Sequence, residues 1–159
     1  MQNNKIKIRL ATICDSKSLF DWRSDENSRA MFFNESPPTM EGHNLWLEKS
    51  LSNIDRTLFI GELGGEKIGV CRFDFNKAEL LTEVSINMNP ASRGRGLGKR
   101  FLFEAVERYS LKTQYNLVAK VKAKNSASLS IFESVGFETF GSDEDEIILH
   151  YKVYPNLNL

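Results

Sequence analysis

The sequence predicts an α+β fold: a single central sheet, mixed but mostly antiparallel, flanked by helices, with residues 1–159 forming one domain. Three observations predict it. Gly64-Gly65 separates two strand-like runs, the pattern of a β-hairpin. The glycine-rich stretch Arg93-Gly94-Arg95-Gly96-Leu97-Gly98 joins a strand-like run to a segment of strong helical period. Strand-like and helix-like segments also mix hairpins with helical crossovers, which fits neither a doubly wound parallel sheet nor a barrel.

Each element follows in order. Residues 5–10 alternate charged and apolar side chains, a first strand. Residues 15–24 read as a helix carrying Leu19, Phe20 and Trp22, and 25–33 as a second, short one. Pro37-Pro38 breaks the chain, and Thr39 caps a helix running to about residue 52, with Leu47 and Leu51 four apart. Residues 57–63 and 67–75 form the hairpin, and 82–88 a strand ended by Asn89-Pro90. Leu97, Phe101, Ala105 and Tyr109 make one helical stripe, with Leu102 and Val106 beside it. Residues 117–123 are a strand, 125–135 a helix, and 137–140 and 147–154 the last two strands, joined by an acidic turn.

Composition narrows the function. Hydrophobic residues are 41% and charged residues 26%, a mixture that can bury a core and excludes a disordered chain. Lys plus Arg and Asp plus Glu each number 21, so the formal net charge is zero and no broad binding to nucleic acid or anionic membrane is expected. Cys14 and Cys71 make no disulfide framework, and the two histidines and two cysteines lack zinc-site spacing, so no metal is expected. Residues 1–6 lack the apolar run of a signal peptide, and no stretch reaches the ~18 apolar residues of a membrane span. The expectation is a cytoplasmic protein with reduced thiols, a monomer or homodimer.

A strand feeding a glycine-rich turn into a helix makes an anion site. The glycines admit close approach, and the first-turn amides and the helix dipole favour negative charge. Two phosphate motifs fail on register. Gly98-Lys99 is followed by Arg100 instead of Ser or Thr, and Gly94-x-Gly96 is followed by Gly98 one residue too early for a dinucleotide fingerprint.

The spacing that fits is Arg-x-x-Gly-x-Gly at Arg93, Gly96 and Gly98, which resembles the pyrophosphate loop of the GNAT superfamily of acyl-CoA-dependent N-acyltransferases. Residues 125–137 resemble that superfamily's second motif, with Asn125 opening a short helix that ends in Gly136-Phe137. The resemblance extends over residues 5–154. It implies acyl-CoA in the splay between the fourth and fifth strands, acetyl-CoA as co-substrate and a small-molecule primary amine as acceptor. Backbone amides of Gly94, Arg95, Gly96, Leu97, Gly98 and Lys99 would hold the pyrophosphate, with the side chains of Arg93, Arg95, Lys99 and Arg100 adding charge. Backbone groups of Ile86 and Met88 would pair with the pantetheine arm, and an amide near Ile86 or Asn87 would polarise the thioester carbonyl. Asn125 and Phe132 would complete the cofactor side. Lys120, Lys122 and Lys124 either reach the 3′-phosphate or form a solvated strand face.

The acceptor amine must lose a proton before attack. An amine of pKa ~10.4 pays roughly 4–5 kcal/mol for this at pH 7, one near ~8 only about 1.4 kcal/mol, so a weak base acting through water suffices for the latter. Glu83 matches a Glu often found on this strand of the superfamily and is the candidate base; His43 is the second candidate. Many relatives carry a Tyr in the second motif to protonate the leaving thiolate. Here Phe132 stands there, and Tyr151 is the substitute candidate.

For the acceptor, Phe20-Asp21-Trp22-Arg23 and His43-x-x-Trp46-Leu47 resemble the acetyltransferases of the pseudaminic acid pathway, which modify the 4-amino group of a UDP-linked deoxy-amino sugar. Trp22 and Trp46 would stack on a base or sugar, or pack in the core; Arg23 would pair with a phosphate; His43 would line the same site. The ribosomal-protein Nα-acetyltransferases share a similar Trp and Glu. Three readings stay open: an acetyltransferase of a nucleotide sugar, one of a protein N-terminus or other small amine, and a non-catalytic acyl-CoA-binding module.

Overall fold

A computed structural model describes residues 4–155. Residues 1–3, part of the N-terminal stretch read above for a signal peptide, lie outside the described residues, as do 156–159. The elements are β1 (Lys7–Leu10), α1 (Ser16–Ser24), α2 (Glu26–Met31), α3 (Met40–Ser52), β2 (Arg56–Leu63), β3 (Glu66–Asn76), β4 (Leu81–Met88), α4 (Leu97–Ser110), β5 (Leu117–Lys122), α5 (Ser126–Val135), β6 (Glu138–Ser142) and β7 (Glu146–Tyr151). Every expected element is present. The last strand stops at Tyr151 instead of 154, and β6 begins at Glu138 because the Phe137 amide donates to the Phe132 carbonyl, closing the end of α5.

Local chemistry sets the boundaries. Thr39 Oγ1 accepts the Gly42 amide at 3.1 Å to start α3, and Asn125 Oδ1 accepts the Ser128 amide at 3.1 Å to start α5. The β2–β3 hairpin closes through Gly64 and Gly65, with φ of 59° and 84°, left-handed values that suit glycine at both positions.

The seven strands form one sheet in the order β1-β2-β3-β4-β5-β7-β6. All neighbours are antiparallel except β4 and β5, which run parallel, as they must with α4 crossing between them. Helices cover both faces. On one, α4 and α5 lay Leu97, Phe101, Leu102, Ala105, Val106 and Phe132 against Phe59, Cys71, Phe73, Val84 and Ala119. Each fully buried large apolar side chain contributes roughly 1.5–3 kcal/mol. On the other face, Leu19 and Trp22 of α1 and Leu47 of α3 cover Leu58 and Ile60. A Cβ on Gly61 would stand 2.7 Å from the Phe101 ring, so that glycine sets how closely α4 approaches the sheet.

A buried charge ties the first strands together. Asp15, 1% exposed, accepts from Arg9 at 2.8 Å and from the Thr12 amide at 2.8 Å, and lies 2.9 Å from Lys67 Nζ. Burial alone would raise its pKa. The donors from Arg9, Lys67 and Thr12 outweigh burial and hold the carboxyl well below the usual range.

Candidate active site

The site starts where sheet pairing stops. β4 and β5 share only the pairs Thr82↔Leu117 and Glu83↔Val118. Beyond Glu83, β4 keeps β3 on one side, with Cys71↔Ile86 and Gly69↔Met88 in register, and its other edge parts from β5. The backbone of Ile86 and Met88 therefore borders an open wedge, an edge to which an extended ligand can add as a strand. Gly69 admits this crowding: a Cβ there would meet the Asn87 carbonyl oxygen at 2.9 Å.

The wedge leads to the glycine-rich turn. Asn89 holds the turn, donating from Nδ2 to the Lys67 carbonyl at 2.9 Å and accepting the Ala91 amide. Gly94 and Gly96 have φ of 74° and 70°, and a Cβ on either would meet nothing within 4 Å, so this backbone is open to a ligand. Gly96 caps α4 without a side-chain acceptor, leaving the first-turn amides of Leu97, Gly98 and Lys99 without a cap. These features fit a pyrophosphate. Leu97 itself is buried, Arg95 and Lys99 are exposed beside the turn, and a Cβ on Gly98 would come 2.6 Å from Ile131 Cδ1, so this glycine also lets α4 and α5 close together.

Arg93 sits differently from its sequence reading as a phosphate ligand. Its Nη1 donates to Asp25 Oδ2 at 3.1 Å and its Nη2 to Ser28 Oγ. Asp25 also accepts the Ser28 amide at 2.9 Å; that bond first, and Arg93 after it, keeps its carboxyl below the ordinary range. From β5, Lys122 donates to the Ala30 carbonyl at 3.2 Å and lies 3.3 Å from Glu35. The segment around α2 is thus tied to both the glycine turn and β5, and it walls one side of the wedge. Lys122 is engaged there, away from the role of a free phosphate ligand.

Glu83, half-exposed, stands at the closed end of the wedge on the face covered by α1 and α3. Lys120 Nζ lies 3.5 Å from its carboxylate, and both line a cleft of about 490 Å³ with Asp74, Asp55 and Lys77. Phe132 is 2% exposed and meets Phe137 edge-on at 5.0 Å; Phe137 in turn meets Tyr151 at 5.1 Å. Tyr151 lies opposite Leu117, at the paired end of β5, and burial raises its pKa. Asn125 spends its side-chain oxygen on capping α5.

The structure corrects the reading of the residues assigned to the acceptor. Trp22 is 5% exposed, a core residue with no face free for a base. His43 is 4% exposed, donates from Nε2 to the Ser16 carbonyl at 3.0 Å, and lies between Phe20 and Trp46, each 5.6 Å away. It spaces α1 from α3. Burial first, then the charge of Arg23, lowers its pKa. Trp46 is covered by His43 and by the Arg56 guanidinium at 5.9 Å. Arg23 reaches the face of the Phe32 ring at 5.5 Å. The sequence reading missed Arg56, Arg72 and Asp74. Arg56 donates to Asp74 at 2.5 and 3.2 Å, and Arg72 lies in register with Ser85. Their signal was the alternation Arg72-Phe73-Asp74, charges on one side of a strand whose other side is core.

Among the described residues, no three His, Cys, Asp or Glu side chains are grouped to hold a metal, and no helix is long and apolar enough to cross a membrane.

The chain matches the acetyltransferase (GNAT) domain family over residues 5–138. It is 24% identical over 139 residues to an L-methionine sulfoximine/L-methionine sulfone acetyltransferase of Pseudomonas paraeruginosa, covering 84% of this chain and 81% of that protein. Its fold is similar to the spermidine N-acetyltransferase of Vibrio cholerae in complex with CoA and spermine, with TM-score 0.85, 15% identity, and coverage of 95% of this chain and 97% of that one. It is similar also to RimL, the ribosomal L7/L12 α-N-protein acetyltransferase in complex with CoA, with TM-score 0.82, 12% identity, and coverage of 96% and 97%.

Proposed function

The chain belongs to the acetyltransferase (GNAT) domain family and is an acetyl-CoA-dependent N-acetyltransferase; from that premise we propose that it acetylates the primary amine of a compact small molecule by direct attack, with Glu83 receiving the amine proton. The observation that carries this reading is the end of β4–β5 pairing at Glu83↔Val118, which sets a carboxylate at the apex of a wedge whose far end is the uncapped start of α4.

When bound, acetyl-CoA supplies the activated acetyl group. The rest falls to this chain. Amides from Gly94 to Lys99 bind the pyrophosphate, with Arg95 and Lys99 adding charge. The open edge at Ile86 and Met88 aligns the pantetheine arm, and an amide near Ile86 or Asn87 polarises the carbonyl. Glu83 takes the proton, directly or through one water, with Lys120 Nζ 3.5 Å from its carboxylate. Phe132 offers no proton, so the thiolate leaves to water; at a thiol pKa of ~8.5 this costs little.

The relatives named above act on different amines, so they leave the acceptor open. A UDP-linked 4-amino sugar remains on the panel through the likeness around Trp22, Arg23 and Trp46. With Trp22 buried and Trp46 covered, the geometry favours a smaller acceptor.

The test has two parts. Acetyl-CoA at a hundred times its Kd stabilises the fold by ~2.7 kcal/mol, roughly 5–10 °C in Tm at this size. Release of the CoA thiol is then followed with amino acids, polyamines, N-terminal peptides and UDP-amino sugars, and products are weighed by mass spectrometry. No Tm shift would sink the reading. A shift without turnover on any amine would leave an acyl-CoA-binding module.

A further inference from the structure

Acetyl transfer needs two proton movements, one from the acceptor nitrogen and one to the departing sulfur. Glu83 serves the first. For the second, the residue where many relatives carry a Tyr is Phe132, 2% exposed, packed edge-on against Phe137 and with no proton to give. Tyr151 stands opposite Leu117, which itself pairs with Thr82 behind the apex of the wedge. Departure to water suffices for turnover, and a fixed donor beside the sulfur makes it faster.

Lys120 has the position of such a donor. Pairing between β4 and β5 ends at Glu83↔Val118. Residues two apart on a strand share a face, so Lys120 is the first residue past the last pair to face as Val118 and Glu83 do. Carried two residues further, the register would set Lys120 across the wedge from Ser85, next to the amides assigned above to the thioester carbonyl. Its Nζ lies 3.5 Å from the Glu83 carboxylate, with the side chain 44% exposed. An ammonium carries three protons, so a contact toward Glu83 leaves others for the wedge. The neighbouring charges have their own partners. Lys122 donates to the Ala30 carbonyl and lies 3.3 Å from Glu35. Asp74, opposite Glu83 on β3, is held by Arg56 and Arg72. From β7, the apolar Ile148 stands opposite Lys120, while His150 stacks on Phe140 at 4.1 Å and Glu146 lies opposite Lys122.

We propose that Lys120 is a catalytic residue, the acid that protonates the departing CoA sulfur, and that it works as a pair with Glu83. This rests on the acetyl-transfer reading above. An alkylammonium and a phenol are acids of similar strength, ~10.4 and ~10, so one replaces the other in kind. An acceptor that arrives as an ammonium first passes its extra proton to water by way of Glu83. The neutral nitrogen then forms the C–N bond, and the C–S bond breaks with its electron pair left on sulfur. Sulfur takes a proton from Lys120, and nitrogen gives one to Glu83. Glu83 passes that proton across to the neutral Lys120 amine, a transfer that runs downhill from carboxylic acid to amine. Amine and thioester have become amide and thiol, and the ion pair is restored.

The test compares the wild type with Lys120→Met, Lys120→Arg and Lys77→Met, the last removing another lysine of the same cleft. The acetyl-CoA-induced Tm shift reports that each variant folds and binds. The first reading is kcat with acetyl-CoA and with its selenium counterpart, whose selenolate is a weaker base and leaves without a proton. Lys120→Met is expected to lose about 100-fold on the thioester and less than about 5-fold on the selenoester. Arginine keeps the charge and holds its proton, so Lys120→Arg is expected to follow Lys120→Met. A lysine that only positioned Glu83 would cost the same on both donors. The second reading needs no acceptor: the ultraviolet absorbance of the thiolate of bound CoA. That thiol is expected to ionise about one pH unit higher in Lys120→Met than in the wild type or Lys77→Met. Equal losses on both donors, a fully active Lys120→Met or Lys120→Arg, or an unmoved thiol would overturn the role of Lys120 and leave acetyl transfer standing. Turnover of no amine by the wild type, with an intact Tm shift on acetyl-CoA, would overturn both.

Discussion

Glu83 and Val118 are the last residues of β4 and β5 to pair, and the sheet opens directly beyond them. The relationship places a carboxylate at the point where an added strand-like ligand would end. Glu83→Gln keeps the size and removes the proton acceptor. We expect kcat/KM to fall by about 10²–10⁴-fold, with the acetyl-CoA-induced Tm shift unchanged. An unaltered rate across pH 6–9 would remove Glu83 from the mechanism.

Gly69 supports the open edge from behind. Its missing Cβ would meet the Asn87 carbonyl oxygen at 2.9 Å, and a backbone atom cannot swing aside as a side-chain tip can. Gly69→Ala should push β4 and raise the acetyl-CoA Kd about tenfold, equivalent to 1.4 kcal/mol. Gly141→Ala is the control, since a Cβ there meets nothing within 4 Å. Calorimetric titration with acetyl-CoA reads both; equal affinities would show that the edge tolerates the shift.

His43 makes stability depend on pH. Burial, with Arg23's charge adding and the Ser16 hydrogen bond opposing, lowers its pKa below the ordinary 6.5. Below ~6.5 the unfolded chain binds a proton that the folded chain resists, so stability falls as pH drops through that window and is full above it. Urea unfolding at pH 7.5 and 5.5 should show a loss for the wild type and a smaller one for His43→Phe. The same loss in both would assign the slope to another group.

Asp15 sets the acid limit. Its carboxyl is held below the unfolded value of ~3.9, so its contribution is present above that pH and is lost progressively as pH falls beneath it toward the folded pKa. Asp15→Ala leaves Arg9 and Lys67 without their shared anion. At pH 7 it should cost about 3 kcal/mol, roughly 6–12 °C in Tm. The gap between the variant and the wild type should narrow below pH 4; a gap independent of pH would mean the loss is one of packing alone.

Much of the fold was legible because its signals are local. The stripe from Leu97 to Tyr109 gives α4, Gly64-Gly65 gives the hairpin, and Thr39 and Asn125 give helix starts, each set by a few neighbours in the chain. The glycine turn was legible for the same reason, since left-handed φ at Gly94 and Gly96 is a property of those residues themselves. The acceptor side was not. Trp22 stayed open between ligand and core, and His43 between ligand and helix surface, because an aromatic residue on a helix reads the same whether it faces a pocket or a neighbouring helix.

By itself, then, the sequence determined the order of elements, the glycine-rich turn and the strand that carries Glu83. Only the tertiary structure decided that Arg93 turns to Asp25, 68 residues away, that His43 closes on Ser16, 27 residues away, and that Arg56 grips Asp74, 18 residues away. The reason is physical. Period and glycine geometry act within a turn or two of chain, whereas the partner of a charged side chain depends on sheet register and helix placement, which the whole core sets together.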